Sequence, residues 1–455
     1  MKRTILAMAV AIAMPWSAAS RAATDVDAIR AEFDQKFKAL QAEYETRLKA
    51  LENRLQTAEI KADNAQQEAA ASTSPPVAAN ALNPEISLIL QGAYIDRAGG
   101  ERPITGFMPA GGHADNGRGF TLNETELVLS ANVDPYSRGL LILAVTDDEV
   151  EVEEAWFQTL RLGHGLTVKG GRFRSGIGYQ NEKHAHARDF ADNSLMYSAL
   201  FGEALNQDGL QLRWLAPTEL FLELGAEVAK GQFFPGSDEG ADKNGADAWA
   251  AFAHVGGDVG IAHSWRAGLS YLSASPRERE GFLDDINDFE ALTAFSGRSK
   301  TWLADFVWKW APDGNPRQRN VIFAAEYFDR DEDGDLLCQD DSAAGGACLG
   351  LTDRYASAQS GGYVQALYQF MPRWRTGLRY DRLDGGSVDF GTNGAFFDTA
   401  DFDPSRWSLM TDYSPSEFSR FRLQFARDKS FEDDPDHQLI LQYILSIGAH
   451  GAHKF

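Results

Sequence analysis

Beyond its N-terminal stretch the chain has no apolar run of the ~20 residues that a spanning helix needs, which excludes a bundle of membrane helices. Positive charge is scarce. Lys and Arg number 43 against 66 Asp and Glu, a formal net charge of −23, which argues against a nucleic-acid partner. Cysteine occurs only at Cys338 and Cys348, with no histidine nearby to complete a metal site. The two flank a loop of Asp, Ser, Ala and Gly, where an exported protein is expected to close a local disulfide. No Gly-x-Ser-x-Gly stretch occurs and no carboxylate pair stands out from the general acidity, so no catalysis is expected. Finally, residues 24–70 contain neither glycine nor proline.

The chain opens Met1-Lys2-Arg3, continues apolar from Ile5 to Trp16, and then turns to small residues. That order predicts a secretory signal peptide over 1–22. In the Gly- and Pro-free stretch, Val26, Ile29, Phe33, Phe37, Leu40, Tyr44, Leu48, Leu51 and Leu55 fall at steps of three and four, with charge on the other faces. This predicts a coiled coil over 24–70, periplasmic in an exported protein; an amphipathic helix lying on a surface is the alternative. Residues 71–83, rich in Ser, Pro and Ala, read as a linker.

From 84 to 455 the apolar pattern has period two. Leu220, Leu222 and Leu224 alternate with Phe221 and Glu223; Trp302, Phe306 and Trp308 flank Leu303, Asp305 and Val307; Leu439, Leu441 and Tyr443 alternate with Ile440 and Gln442. Tight Pro- or Gly-bearing turns alternate with long polar stretches. Together with the terminal Phe455, this layout predicts an all-β fold, a transmembrane antiparallel barrel of roughly 16 strands in the outer membrane of a Gram-negative bacterium. The rival is a soluble β-sandwich, which would bury the tryptophans. A mean hydropathy of −0.34 fits the barrel, where only alternate residues meet lipid.

The longest loop, 175–207, carries Glu182, His184, His186, Arg188, Asp189 and Asp192. Around it, Gly171-Arg172-Phe173, Gly176 or Gly178, Glu182 and Phe190 resemble the phosphate- and polyphosphate-selective porin family, although that family's dense basic ladder has no evident counterpart among the sparse lysines. The resemblance implies a porin whose third loop folds inward and narrows the pore, and a homotrimer, as porins are. The strand pattern aims Arg213, Arg266, Arg375, Arg379, Arg420 and Arg422 into the lumen, with Glu124, Glu126, Glu223 and Glu227. A basic wall facing an acidic loop would set up a transverse field; the same charges could instead pair into a wet, stable interior. His184 and His186 point the same way on an extended chain, as a Zn²⁺ or Cu²⁺ grip requires, and His113 could add a ligand. The plainer reading is two solvated histidines and no cofactor.

These readings converge on passive diffusion of small hydrophilic solutes or ions. Two others stay open: an energy-coupled receptor for a metal such as zinc, resembling TonB-dependent receptors, and a tether from the outer membrane to the cell wall.

Overall fold

The computed structural model describes residues 84–448 except 99–103, 108–116, 123, 147–149, 239–243, 288, 398–401 and 433–434, together with Gln35 and Lys38. The chain divides into two units, Met1–Asn80 and Ala81–Phe455. Of the first, only Gln35 and Lys38 are described, both helical and exposed. Apart from those two residues, the expected signal peptide, coiled coil and linker lie outside the described residues, as do His113 and Phe455.

Sixteen strands form one closed antiparallel barrel. In chain order they are β1 (Glu85–Asp96), β2 (Thr125–Asp134), β3 (Ser137–Val145), β4 (Val150–Thr159), β5 (Leu166–Arg174), β6 (Asn206–Leu215), β7 (Phe221–Ala229) and β8 (Ala248–Val259). The second half is β9 (His263–Ala274), β10 (Glu290–Trp310), β11 (Asn320–Cys338), β12 (Leu351–Met371), β13 (Trp374–Asp389), β14 (Ser405–Ser416), β15 (Ser419–Lys429) and β16 (Asp436–Gly448). Two short segments, Gly119–Thr121 beside β1 and Arg279–Asp284 beside β10, extend the rim. The barrel closes where β1 pairs with β16, from Ser87 opposite Gly448 to Asp96 opposite Leu439.

Alternation sorts the side chains. On β16, Leu439, Leu441, Tyr443 and Leu445 are exposed on the outside, while Gln438, Ile440, Gln442 and Ile444 are buried within. On β10, Trp302 and Phe306 face out and Leu303, Asp305 and Val307 face in. The outer aromatics stand in two rows. Trp265 lies opposite Trp308 and Trp374 opposite Tyr413; six residues further along the same strands, Tyr271 lies opposite Trp302 and Tyr380 opposite Trp407. Six residues make about 20 Å of strand, so the rows bracket an apolar belt in the manner of interfacial girdles. β10, β11 and β12 run for 21, 19 and 21 residues, well beyond the 9–11 that cross a bilayer. Their far ends change character accordingly: Asp329, Asp331, Asp333 and Asp335 take the outward positions after Tyr327. That end is capped by an apolar cluster of Ala291, Phe295, Leu336, Tyr355 and Phe397 around Cys338 and Cys348, which are joined as a disulfide.

The belt carries a measurable consequence. Leu441 sits between Leu423 of β15 and Tyr94 of β1 and is 48% exposed, so an arginine there must project into hydrocarbon. Leu441→Arg is expected to destabilise the lipid-inserted barrel by about 2–4 kcal/mol, read by urea titration in vesicles. A loss near zero would remove the lipid-facing assignment of this strand.

Candidate functional site

Between β5 and β6 the chain turns inward and crosses the bore. The neck of this inner segment is tied by Asn181, whose side-chain amide donates to the carbonyls of Ser175 (2.8 Å) and Leu205 (3.1 Å) and whose oxygen accepts from the Leu205 N–H (2.7 Å). At the entry, buried Glu227 of β7 accepts from the Ser175 hydroxyl (2.6 Å) and the Gly176 N–H (2.8 Å). On β11, Glu326 accepts from the N–H groups of Tyr179 (2.9 Å) and Gln180 (3.0 Å) and from the hydroxyls of Tyr197 (3.0 Å) and Tyr363 (2.6 Å). Gly178 makes this approach at φ +66; a Cβ there would lie 2.7 Å from the Tyr197 hydroxyl. The segment then reaches the opposite wall, where His184 and His186 meet carboxylates of β2 and β4.

Past His186 the segment runs to β13–β15. Asp189 accepts from Arg375 (2.8 Å), and Asp192 pairs with Arg379 (2.8 Å) and Arg406 (3.1 Å) and accepts from Gln424 (2.8 Å). Burial would raise both carboxyls. Lys183 and Arg375 outweigh it at Asp189 and hold that group well below the usual range; Arg379 and Arg406 bring Asp192 down to about 2. A short helix, α1 (Leu195–Phe201), follows. Ser194 caps its start by accepting from the Tyr197 N–H. Every residue of α1 is buried, and Leu195, Met196 and Leu200 pack with Leu303, Phe328 and Leu383 of the wall.

The expected pore residues divide into two groups. Arg379 and Arg422 are almost wholly buried in ion pairs, Arg379 with Asp192 and Asp381, Arg422 with Asp412 (2.7 Å) and the Arg188 carbonyl. Arg188 pairs with Glu203, and Glu126 bonds His186. By contrast, Arg213, Arg266, Arg375 and Arg420 keep 20–28% of their side chains accessible. Arg213 pairs with exposed Glu182 (2.5 Å), Arg266 with Asp305 (2.9 Å), and Arg420 lies 3.9 Å from Asp412. Glu223 bonds His254, and Glu124 is half-buried just before β2.

Sequence reasoning missed several partners. Asp381, Arg406, Asp412 and Asp428 occupy inward positions of β13–β15, and the same period-two reading that found Arg379 could have found them. Glu153 and Glu154 are different. Adjacent residues should face opposite sides of a strand, yet both are buried. The β3–β4 register shifts between Ile142 and Leu143, which pair with Glu154 and Val152, so Glu153 is the extra residue of a bulge. The bulge turns both carboxylates toward the inner segment, and strict alternation cannot predict it.

No family model matches this chain. An uncharacterized protein of Aquifex aeolicus is 32% identical over 404 residues, covering 84% of this chain and 81% of its own. Among solved structures, Pseudomonas putida OprB is 12% identical, covering 80% of this chain and 94% of its own with a TM-score of 0.49. The outer membrane channel DcaP of Acinetobacter baumannii is 14% identical, covering 80% and 96% with a TM-score of 0.45.

Proposed function

We propose, for a chain that belongs to the same family as this uncharacterized Aquifex aeolicus protein, that it is an outer-membrane porin through which small hydrophilic solutes or ions diffuse passively. The observation that carries the reading is one closed barrel, greasy outside and polar inside, crossed by a segment tied to opposite walls. Such a segment narrows a bore without needing an energy source. In this reading 175–207 is the constriction, Arg213, Arg266, Arg375 and Arg420 are the wall charges that water and ions meet, and buried Arg379 and Arg422 hold the constriction in place. The N-terminal coiled coil lies in the periplasm and assembles the chain as a homotrimer. An energy-coupled metal receptor would need a barrel of ~22 strands around a plug, whereas 16 strands close here.

Liposome swelling and planar-bilayer recording test the reading. The purified protein is expected to pass small sugars without any energy source and to show stable ohmic channels; sealed liposomes and silent bilayers would refute it. Neutralising two of the four accessible guanidiniums in Arg213→Gln/Arg420→Gln is expected to move the reversal potential in a salt gradient toward cations, because fixed positive charge has left the narrow, low-dielectric passage. An unmoved potential would take these residues out of the ion path.

A further inference from the structure

The geometry points to a divalent-cation site, of the Zn²⁺ class, formed by Glu126 of β2, Glu153 of β4 and His184 of the inner segment. One ligand atom from each converges, all within 4.8 Å of one another. His184 shows why a cation belongs there. Its Nε2 lies 2.9 Å from Glu154 Oε1, and a carboxylate there can only accept, so Nε2 carries the ring proton. Nδ1 is then left facing Glu153 Oε2 at 3.0 Å and Glu126 Oε2 at 3.5 Å. A neutral ring would set a lone pair against two carboxylate oxygens. Either a second ring proton on Nδ1 or a metal cation relieves the conflict, and the unpartnered Glu126 Oε2 favours the cation.

The neighbouring groups fit that centre. Glu126 is 1% exposed, and its Oε2 has no hydrogen-bond partner while it faces His184. Its other oxygen accepts from His186 Nδ1 at 2.6 Å, which fixes the plane of the carboxylate. Glu153 reaches the site through the bulge in β4, and its Oε1 pairs with Arg174. Glu126, Glu153 and Glu154 thus meet a single guanidinium in direct contact, and a divalent cation balances the two charges left over. A tetrahedral Zn²⁺ with legs of about 2.0–2.1 Å separates its ligand atoms by about 3.3 Å, midway between the two contacts of His184 Nδ1. One imidazole with two carboxylates, and a fourth position for water, is a Zn²⁺ donor set rather than a Ca²⁺ or Mg²⁺ one. Glu154 supplies the carboxylate that holds the ligating histidine. The cation would bolt the inner segment to β2 and β4, on the wall opposite Glu326. The site stands without reference to conduction.

Calorimetry on the full chain in detergent, stripped with chelator and titrated with ZnCl₂, tests the proposal. One Zn²⁺ per chain is expected. His184→Ala and Glu126→Gln should each weaken binding at least 100-fold and Glu154→Gln by 10–100-fold, on the scale of a lost outer partner. His450→Ala/His453→Ala should leave it unchanged. A wild type that takes up no Zn²⁺, or variants at Glu126 and His184 that bind as it does, would overturn the site. Should those variants fail to fold, wild type with Co²⁺ decides: an intense four-coordinate visible band supports the assignment and a weak six-coordinate spectrum overturns it.

Discussion

Asp192→Ala is expected to release the inner segment from the β13–β15 wall, lowering the temperature at which the barrel unfolds in detergent and raising single-channel conductance. Asp192 is 6% exposed and holds three partners at once. Removing one member of a buried ion pair typically costs about 3–5 kcal/mol, because the other charge is stranded. Here the stranded groups keep second partners: Arg379 still has Asp381 at 2.8 Å, and Arg406 has Asp428 at 3.6 Å. The cost should therefore fall near the low end, about 3 kcal/mol. Asp192→Asn keeps the shape and an acceptor and should cost less than Ala. Loss of stability without any change in conductance would mean that the segment is structural and does not narrow the path.

The same carboxylate makes acid a second probe. Asp192 is depressed to about 2 in the fold, against about 3.9 for a free aspartate. A depressed acid stabilises the folded form above its unfolded pKa, and that contribution fades as pH falls toward the folded value. Asp192 should therefore contribute on the order of 2 kcal/mol above pH 4 that fades toward pH 2. Wild-type conductance is expected to rise toward the Asp192→Ala value across that window, and the variant should lose most of this response.

The architecture was legible because its signal is repeated. Most strands carry several alternations, and turns with Pro or Gly mark many of their ends, so about sixteen strands could be counted and assigned to two faces. The inner segment was legible by its length and charge. Its seat was not. Which acid meets which guanidinium depends on the register of β13 with β14 and of β14 with β15, and a two-residue slip exchanges every partner while leaving each face unchanged. The carboxylates that receive the segment's backbone, Glu227 and Glu326, look like any other inward acid in a barrel of this charge. The bulge at Glu153 leaves only a faint mark in the sequence, the Glu153-Glu154 doublet across which the outward apolar positions pass from Val150 and Val152 to Phe157.

Glu326→Ala should do more damage than any other single change in the inner wall. Each of its oxygens accepts two hydrogen bonds: Oε2 from the Tyr179 N–H and the Tyr197 hydroxyl, Oε1 from the Gln180 N–H and the Tyr363 hydroxyl. It is 3% exposed, so water cannot easily replace what is lost. Hydrogen bonds to a charged group are worth about 1.5–3 kcal/mol each. The tyrosines can turn their hydroxyls elsewhere, but the two backbone donors cannot, so a loss above about 4 kcal/mol is expected. Glu326→Gln separates the two effects. Its amide oxygen can keep two donors, while its NH₂ meets a backbone N–H that has nothing to give it, which should cost about 1–3 kcal/mol. Combining Glu326→Ala with Asp192→Ala asks whether the segment is one body. The two residues grip it at different walls, β11 and the inward face of β13–β15. If the segment lets go as a unit, the second loss costs less than it does alone and the double variant falls short of the sum. Full additivity in the unfolding free energies would mean that each wall holds its own stretch of chain, and that a channel can be widened from one side only.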